Sequence, residues 1–281
     1  MLFTNKADKK GYIISVVLLS ILGVIWVLPL LFMASLSLQL NDRLAVNLLG
    51  PLFGYIPYPF TIDNFIRTTR YDEVPRWFFN SLIVSTISTL LVLMISSLAG
   101  YAFARLKFYG NKLLYGFTLA GIMIPGEAVF IALYTLFADL GLHNTYISLI
   151  VPNLAAPIGT ILMTQFFKSI SIEIEEAAQI DGANRFEIYR FIMVPISIPA
   201  MTTLAIITFL WTWNSYLWPL VTTQEIDMFT ITVGLASTQE SYAEDVIGNL
   251  MSQGIISCIP VIAIFLIFQK YLLKGVVIQT K

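Results

Sequence analysis

What limits this chain most is a succession of six apolar runs, each about as long as the roughly 20 residues a helix needs to cross the hydrocarbon core of a bilayer. They cover residues 11–38, 76–105, 112–137, 144–167, 196–221 and 250–273. Inside lipid every backbone N–H and C=O must find a partner within the protein, so such runs have to be helices. The expected fold is therefore an all-α membrane protein with six transmembrane helices, forming one domain over 1–281. Pro29, Pro125, Pro152, Pro157 and Pro260 fall inside these runs and are expected as tolerated interruptions of them. The second run carries Ser85, Ser88, Ser96, Ser97, Ala99 and Gly100, a density of small residues that lets helices pack closely in lipid.

Composition agrees with lipid as the main solvent. Only 12% of the 281 residues are charged and 57% are hydrophobic, where soluble domains carry about 25% charged residues. Mean hydropathy is +0.80. A net charge of −1 gives no case for nucleic acid, and the single Cys258 excludes a disulfide framework or a cysteine-based metal site. Lys6, Lys9 and Lys10 precede the run Tyr12–Leu38, which is too long for the apolar core of a signal peptide and reads as an uncleaved first span.

Lysine and arginine placement predicts orientation. One side carries the N-terminal lysines, Arg105, Lys107, Lys112, Lys168, Arg185, Arg190, Lys270, Lys274 and Lys281. The other has only Arg43, Arg67, Arg70 and Arg76, in or beside the long loop 39–75, while the loop 222–249 has acids and no lysine or arginine. Both termini are expected in the cytoplasm, together with the polar segment 170–195. Local chemistry there predicts two short helices. Residues 172–181 are mostly helix formers with acids in the first turn; Gly182 suits the positive φ that ends a helix; Asn184 with Glu187 three residues on reads as a capping box.

A family resemblance becomes specific in this segment. Glu176-Ala177-Ala178, Gly182 after three further residues, then Ile192, Val194 and Pro195, with Asp181-Gly182-Ala183 inside, resembles the EAA loop of permeases of ATP-binding-cassette (ABC) importers. The likeness extends to NSLIVSTIST at 80–89, GYAFARLKFYG at 100–110, IPGE at 124–127, LGLHNTY at 140–146 and WTWNSYLWPL at 211–220. Together these are similar to carbohydrate permeases of the maltose-transporter type, and within it to the shorter, six-span partner of the heterodimer. Ser171 stands where the family often has proline, and the tail 275–279 departs from its usual glycine-rich ending.

The resemblance implies a type I ABC importer permease fold, a non-catalytic subunit in a bacterial inner membrane, and uptake of sugars or oligosaccharides; a glycerol-phosphate or polyol permease is the alternative. It implies as partners a second homologous permease, two ABC ATPase subunits and an extracytoplasmic sugar-binding protein. ATP and Mg would be bound by the ATPase subunits and no cofactor by this chain, which has no G-x-x-x-x-G-K-[ST] loop of its own. Glu176, Ala177, Ala178, Asp181, Gly182 and Pro195 would then form the coupling helix seated on the ATPase, the paired alanines allowing close approach and Glu176 meeting a cation. Without the resemblance, the same segment also reads as an amphipathic loop on the inner membrane surface.

Glu127 is expected near the middle of the third span, facing the bundle interior, either lining the pathway or held neutral beside the backbone that Pro125 frees. Asn153, Trp213 and Asn214, with Gln165, Trp211 and Trp218 as looser company, combine the aromatic faces and amides that bind sugars. His143 has no neighbouring ligand set and is not expected to hold metal. By position, Gly234, Ser237 and Gln239 in the loop 222–249 are expected to meet the binding protein. A secondary transporter, the rival class, would want internal repeats and paired ionisable groups at mid-membrane, and Glu127 stands alone.

Overall fold

The computed structural model describes residues 6–39, 60–70, 73–241 and 247–277, with side chains described for 11–39, 60–70, 73–238 and 247–269. Among them the chain is helical, apart from turns and one isolated bridge between Gln39 and Phe60. In order the helices are α1 (Lys6–Ser37), α2 (Asp63–Arg70), α3 (Val74–Arg105), α4 (Asn111–Met123), α5 (Gly126–Asp139), α6 (Tyr146–Leu154), α7 (Pro157–Ser169), α8 (Ile172–Ile180), α9 (Arg185–Ile196), α10 (Ile198–Trp213), α11 (Leu217–Thr222), α12 (Ile231–Ser241) and α13 (Ile247–Val277).

Among the described residues, three helices are long and apolar enough to cross a membrane unbroken, over Gly11–Ser37, Val74–Arg105 and Ile247–Gln269. The runs read as the third and fourth spans are each a bent pair; the fifth, 196–221, holds α10 and most of α11, and α9, which bends against α10, comes from the polar segment before it. α4 and α5 meet at 99°, α6 and α7 at 43°, and α9 and α10 at 74°. The prolines explain the breaks. The residue before a proline is driven out of the helical region, and Ile124 before Pro125 is extended at φ −87, ψ 113. Pro157 and Pro199 occupy the first turns of α7 and α10, where a missing N–H costs nothing. The loop expected over 222–249 also contains secondary structure, a short turn at Ile226–Met228 and α12.

The chain falls into two compact units, Met1–Pro75 with Leu235–Ile259, and Arg76–Gly234 with Pro260–Lys281. In the first, α1 presents Tyr12–Leu31 outward along its apolar length. Its buried contacts lie beyond, where Asn64 Nδ2 donates to Ser37 O (2.9 Å) and Gln39 O (2.8 Å). Thr68 Oγ1 donates to Asn249 Oδ1 (2.6 Å) and lies 2.7 Å from Ser252 Oγ, a buried polar knot joining α2 to α13.

The second unit is built around the crossing of α3 and α7. A Cβ added to Gly100 would stand 2.7 Å from Met163 Cβ and 3.0 Å from its carbonyl carbon, and one added to Gly159 would stand 2.7 Å from Ser96 Oγ. The two backbones therefore touch through residues spaced four apart on each helix, the small-residue packing the sequence anticipates. Tyr101, Met163, Phe167, Ala178, Ile188, Met193, Ala200 and Leu204 form the core beside this crossing. That core takes in the polar segment after α7 as well as the apolar helices.

Candidate functional site

Helix α8 begins at Ser171, whose hydroxyl accepts from Glu173 N–H (3.3 Å), and ends where Gly182 takes φ +89. Gly182 N–H bonds to Gln179 O and Ala183 N–H to Ala178 O, so the turn satisfies the helix's last carbonyls. α9 opens with the full capping box. Asn184 Oδ1 accepts from Phe186 and Glu187 N–H (3.0 Å each), and Glu187 Oε2 accepts from Asn184 N–H (2.8 Å). A π turn at Tyr189–Met193 precedes Pro195, whose missing N–H disturbs the ladder there.

The two faces of α8 differ sharply. Glu176, Ala177 and Asp181 are exposed, and Ile180 is 86% exposed, with Phe186 and Phe191 bare on α9. Pro195 is exposed too. Ala178, expected to face a partner beside Ala177, points instead into the chain's own core: at about 100° per residue Glu176 and Ala177 fall on the open side and Ala178 turns inward with Glu175.

Sequence reasoning missed Glu175. It is fully buried, with one carboxylate oxygen 3.4 Å from Arg105 Nε and the other 3.5 Å from Arg185 Nη1. Burial pushes its carboxyl up from the ordinary value, against the pull of Arg105 and then Arg185. Arg105, at the last turn of α3, also donates through Nη2 to Phe167 O (2.6 Å) and to Ile170 O at the end of α7. The available signal was an adjacent pair of glutamates on a helix with one buried face, and an arginine closing an apolar span.

Two of the helix breaks, at 124–126 and 155–157, border a cavity of about 500 Å³ together with one face of α10; its lining includes Ile124, Pro125, Gly126, Asn153, Pro157, Thr208, Trp211 and Thr212. Of the expected pathway residues only Asn153 borders it, its amide nitrogen held by Leu149 O (2.7 Å). Glu127 is exposed in the first turn of α5, because the bend at Pro125 makes it a helix start, where a carboxylate suits the dipole. Trp213 is 2% exposed, stacked on Phe209 and edge-on to Phe78, and belongs to the core. Asn214 ends α10, its side chain donating to Leu210 O (2.8 Å). Trp211, two residues before Trp213 and so on another side of α10, takes the place at the cavity.

On the opposite side, motif residues fasten the segment 222–231. Trp77 Nε1 donates to Ile226 O (2.9 Å); Asn80 Nδ2 donates to Asp227 O (2.8 Å) and Phe229 O (2.9 Å); Tyr146 donates its hydroxyl to Asn80 Oδ1 (2.7 Å). Ser81 Oγ accepts from Ile231 N–H, and Asn144, at φ +57, accepts from Gln224 and Glu225 N–H. Gly234 lies under Trp77, where an added Cβ would fall 2.0 Å from the indole. Ser237 and Gln239 lie on α12, the side chain of Gln239 outside the described residues. Gln165 donates to the Tyr115 hydroxyl, Trp218 Nε1 to Ser148 O, and His143 rests on Tyr134. No cluster that could hold a metal occurs among the described residues.

Residues 92–278 match the family described as binding-protein-dependent transport system inner membrane component. The chain belongs to this family. It is thus a multi-pass inner-membrane permease of the ABC-transporter type. It is 33% identical over 253 residues to the arabinooligosaccharides transport system permease protein AraQ of Halalkalibacterium halodurans, covering 90% of each chain. The trehalose transport system permease protein SugB of Mycobacterium tuberculosis is 32% identical, with 88% of this chain and 89% of that one covered. The fold matches a chain in the crystal structure of a bacterial ABC transporter involved in import of the acidic polysaccharide alginate, with a TM-score of 0.77, 22% identity, and 96% and 99% of the two chains covered. The type I importer fold expected from the motifs is the fold of this permease.

Proposed function

We infer that this permease is one half of the membrane pathway of an ATP-driven importer for di- or oligosaccharides. The observation that carries the substrate class is the near end-to-end likeness to permeases for arabinooligosaccharides, trehalose and lactose, at 31–33% identity. A second, homologous permease completes the pathway and covers the cavity wall that Trp211 and Asn153 present. A binding protein delivers sugar to the extracytoplasmic side, where Gly234, Ser237 and Gln239 lie in or beside its docking region. Both termini and α8–α9 face the cytoplasm.

The outer face of α8 supports a seat on an ATPase subunit. Glu176 and Ala177 stand out beside Ile180, so a small-residue surface for close approach carries one carboxylate for an arginine and one apolar anchor. The chain holds no nucleotide loop, so the work of ATP arrives through that contact.

The decisive experiment screens the cognate binding protein against mono-, di- and oligosaccharides by thermal shift, then measures uptake of the stabilising sugar in a strain lacking this gene. Uptake is expected to vanish, to return with the wild-type gene, and not to return with Glu176→Lys. A binding protein stabilised only by polyols or glycerol phosphates would overturn the substrate class.

A further inference from the structure

Three side chains on one stripe of α3, four residues apart, reach into the segment that follows α7. Ser97 Oγ lies 2.7 Å from the Tyr189 hydroxyl, Tyr101 donates its hydroxyl to Arg185 O (3.4 Å), and Arg105 meets Glu175. Spacing of four puts all three on one face of the helix. The last of them is unlike the others. A carboxylate with a 1% exposed side chain sits between an Arg105 side chain 7% exposed and an Arg185 side chain 54% exposed. Arg105 also holds two carbonyls at the end of α7. One guanidinium therefore binds the end of α3, the end of α7 and the buried face of α8 together.

This arrangement costs too much for a passive contact. A buried ion pair contributes little net stability against an apolar replacement of the same shape, because desolvation offsets the attraction. Both oxygens of Glu175 and the Nε of Arg105 lie at ion-pair distance with no hydrogen bond made, and a wholly buried acceptor left so is unfavourable. A displacement of α8 by roughly half an ångström or a little more toward Arg105 brings the pair, now at 3.4 Å, within ordinary charge-assisted range of about 2.7–2.9 Å. The pair is therefore sensitive to where α8 sits.

We propose that Glu175 is a positioning residue for energy coupling, and that Arg105–Glu175–Arg185 is the strut through which displacement of α8 is handed to α3 and α7. The proposal rests on the coupling role inferred for Glu176 and its neighbours. α8 is joined to the rest of the chain by the Ile170–Ser171 link and the hydrogen-bonded Gly182 turn. Ala178 and Ile188 give it apolar seating, which is non-directional. The buried charges add the directional link.

The test uses the assembled transporter in proteoliposomes: this chain with its cognate second permease, ATPase subunits and binding protein. Uptake of radiolabelled trehalose or arabino-oligosaccharide, whichever the binding protein retains, is measured alongside ATP hydrolysis. Glu175→Gln is expected to assemble and to hydrolyse ATP, yet to move about 3- to 30-fold less sugar per ATP. Glu175→Asp, which keeps the charge, recovers part of the ratio. Asp139→Asn, an exposed carboxylate at the end of α5, keeps the wild-type ratio. A role in folding alone would lower the amount of complex and leave the ratio untouched, and that result overturns the strut. Should Glu175→Gln not assemble, Arg185→Gln removes one partner at a half-exposed site; a smaller fall in the ratio is expected, and an unchanged ratio overturns the proposal. Glu176→Lys separates the two readings. Normal uptake by that variant sinks the coupling role itself, whereas its failure beside a normal Glu175→Gln sinks only the strut.

Discussion

Glu175 and Glu176 are neighbours with the same chemistry, and the fold sends them opposite ways, one to a buried pair of arginines and one to open surface. The motif spacing was enough to single out Glu176. It could not single out Glu175, because its partner Arg105 lies a long way back in the chain and only packing brings the two together. The adjacent alanines show the same limit: composition marks both as small, and helix geometry alone decides that Ala178 faces in. Glu175 also gives a pH dependence. Its folded-state carboxyl is raised above the ordinary carboxylate value by burial, so as pH climbs through that range the unfolded chain releases this proton first. The native state then holds more protons, and stability falls with rising pH, with a slope of at most about 1.4 kcal/mol per pH unit from this group. Stability from this group is full below the ordinary carboxylate value and is lost as pH rises through the raised one. Denaturant unfolding of the purified chain in detergent between mildly acid and neutral pH should show this slope in wild type and a flatter one in Glu175→Gln. Equal slopes would mean that the carboxyl is not held up by burial.

At the scale of helices, apolar length was read correctly and continuity was not. Pro125, Pro157 and Pro199 were visible, but a proline in an apolar run is compatible with a kinked helix or with two helices, and only neighbouring packing chooses. Here two of the breaks border a cavity, and the one at Pro125 makes Glu127 a helix start. The small-residue stripe of α3 was legible and marks the crossing with α7. Gly100→Leu is expected to drive a side chain into Met163 and the α7 backbone, costing about 1–3 kcal/mol as an overpacked contact does. It should lower the thermal midpoint in detergent clearly, while Gly116→Leu, with open space around its Cα, should not. Equal midpoints for the two variants would mean that the crossing accommodates the larger residue.

For the whole molecule, the sequence carried the class, the family and the side on which charge accumulates, since each depends on many residues at once. The acidic segment after α11 is expected from its position to meet the binding protein, and nothing in its composition shows how it is held. Its first part is fastened by Trp77, Asn80, Ser81 and Asn144, so residues of the NSL and HNTY stretches hold this segment in place. The inferred orientation makes a simple demand: fluorescent reporters that mature only in the cytoplasm, fused after Lys281 or before Met1, should both be bright, and a dark fusion at either end would invert that assignment.

The bare crossing at Gly100 also sets proportions along α3. From there to Arg105 is about 7 Å of helix, and to Trp77, which grips the segment after α11, about 35 Å, at 1.5 Å per residue. If the touching backbones serve as a pivot, α3 is a lever with a short arm among the charges and a long arm beneath the segment after α11. A 1 Å push on the short arm then becomes a swing of roughly 5 Å at the far end. Gly100 sets the gearing between them.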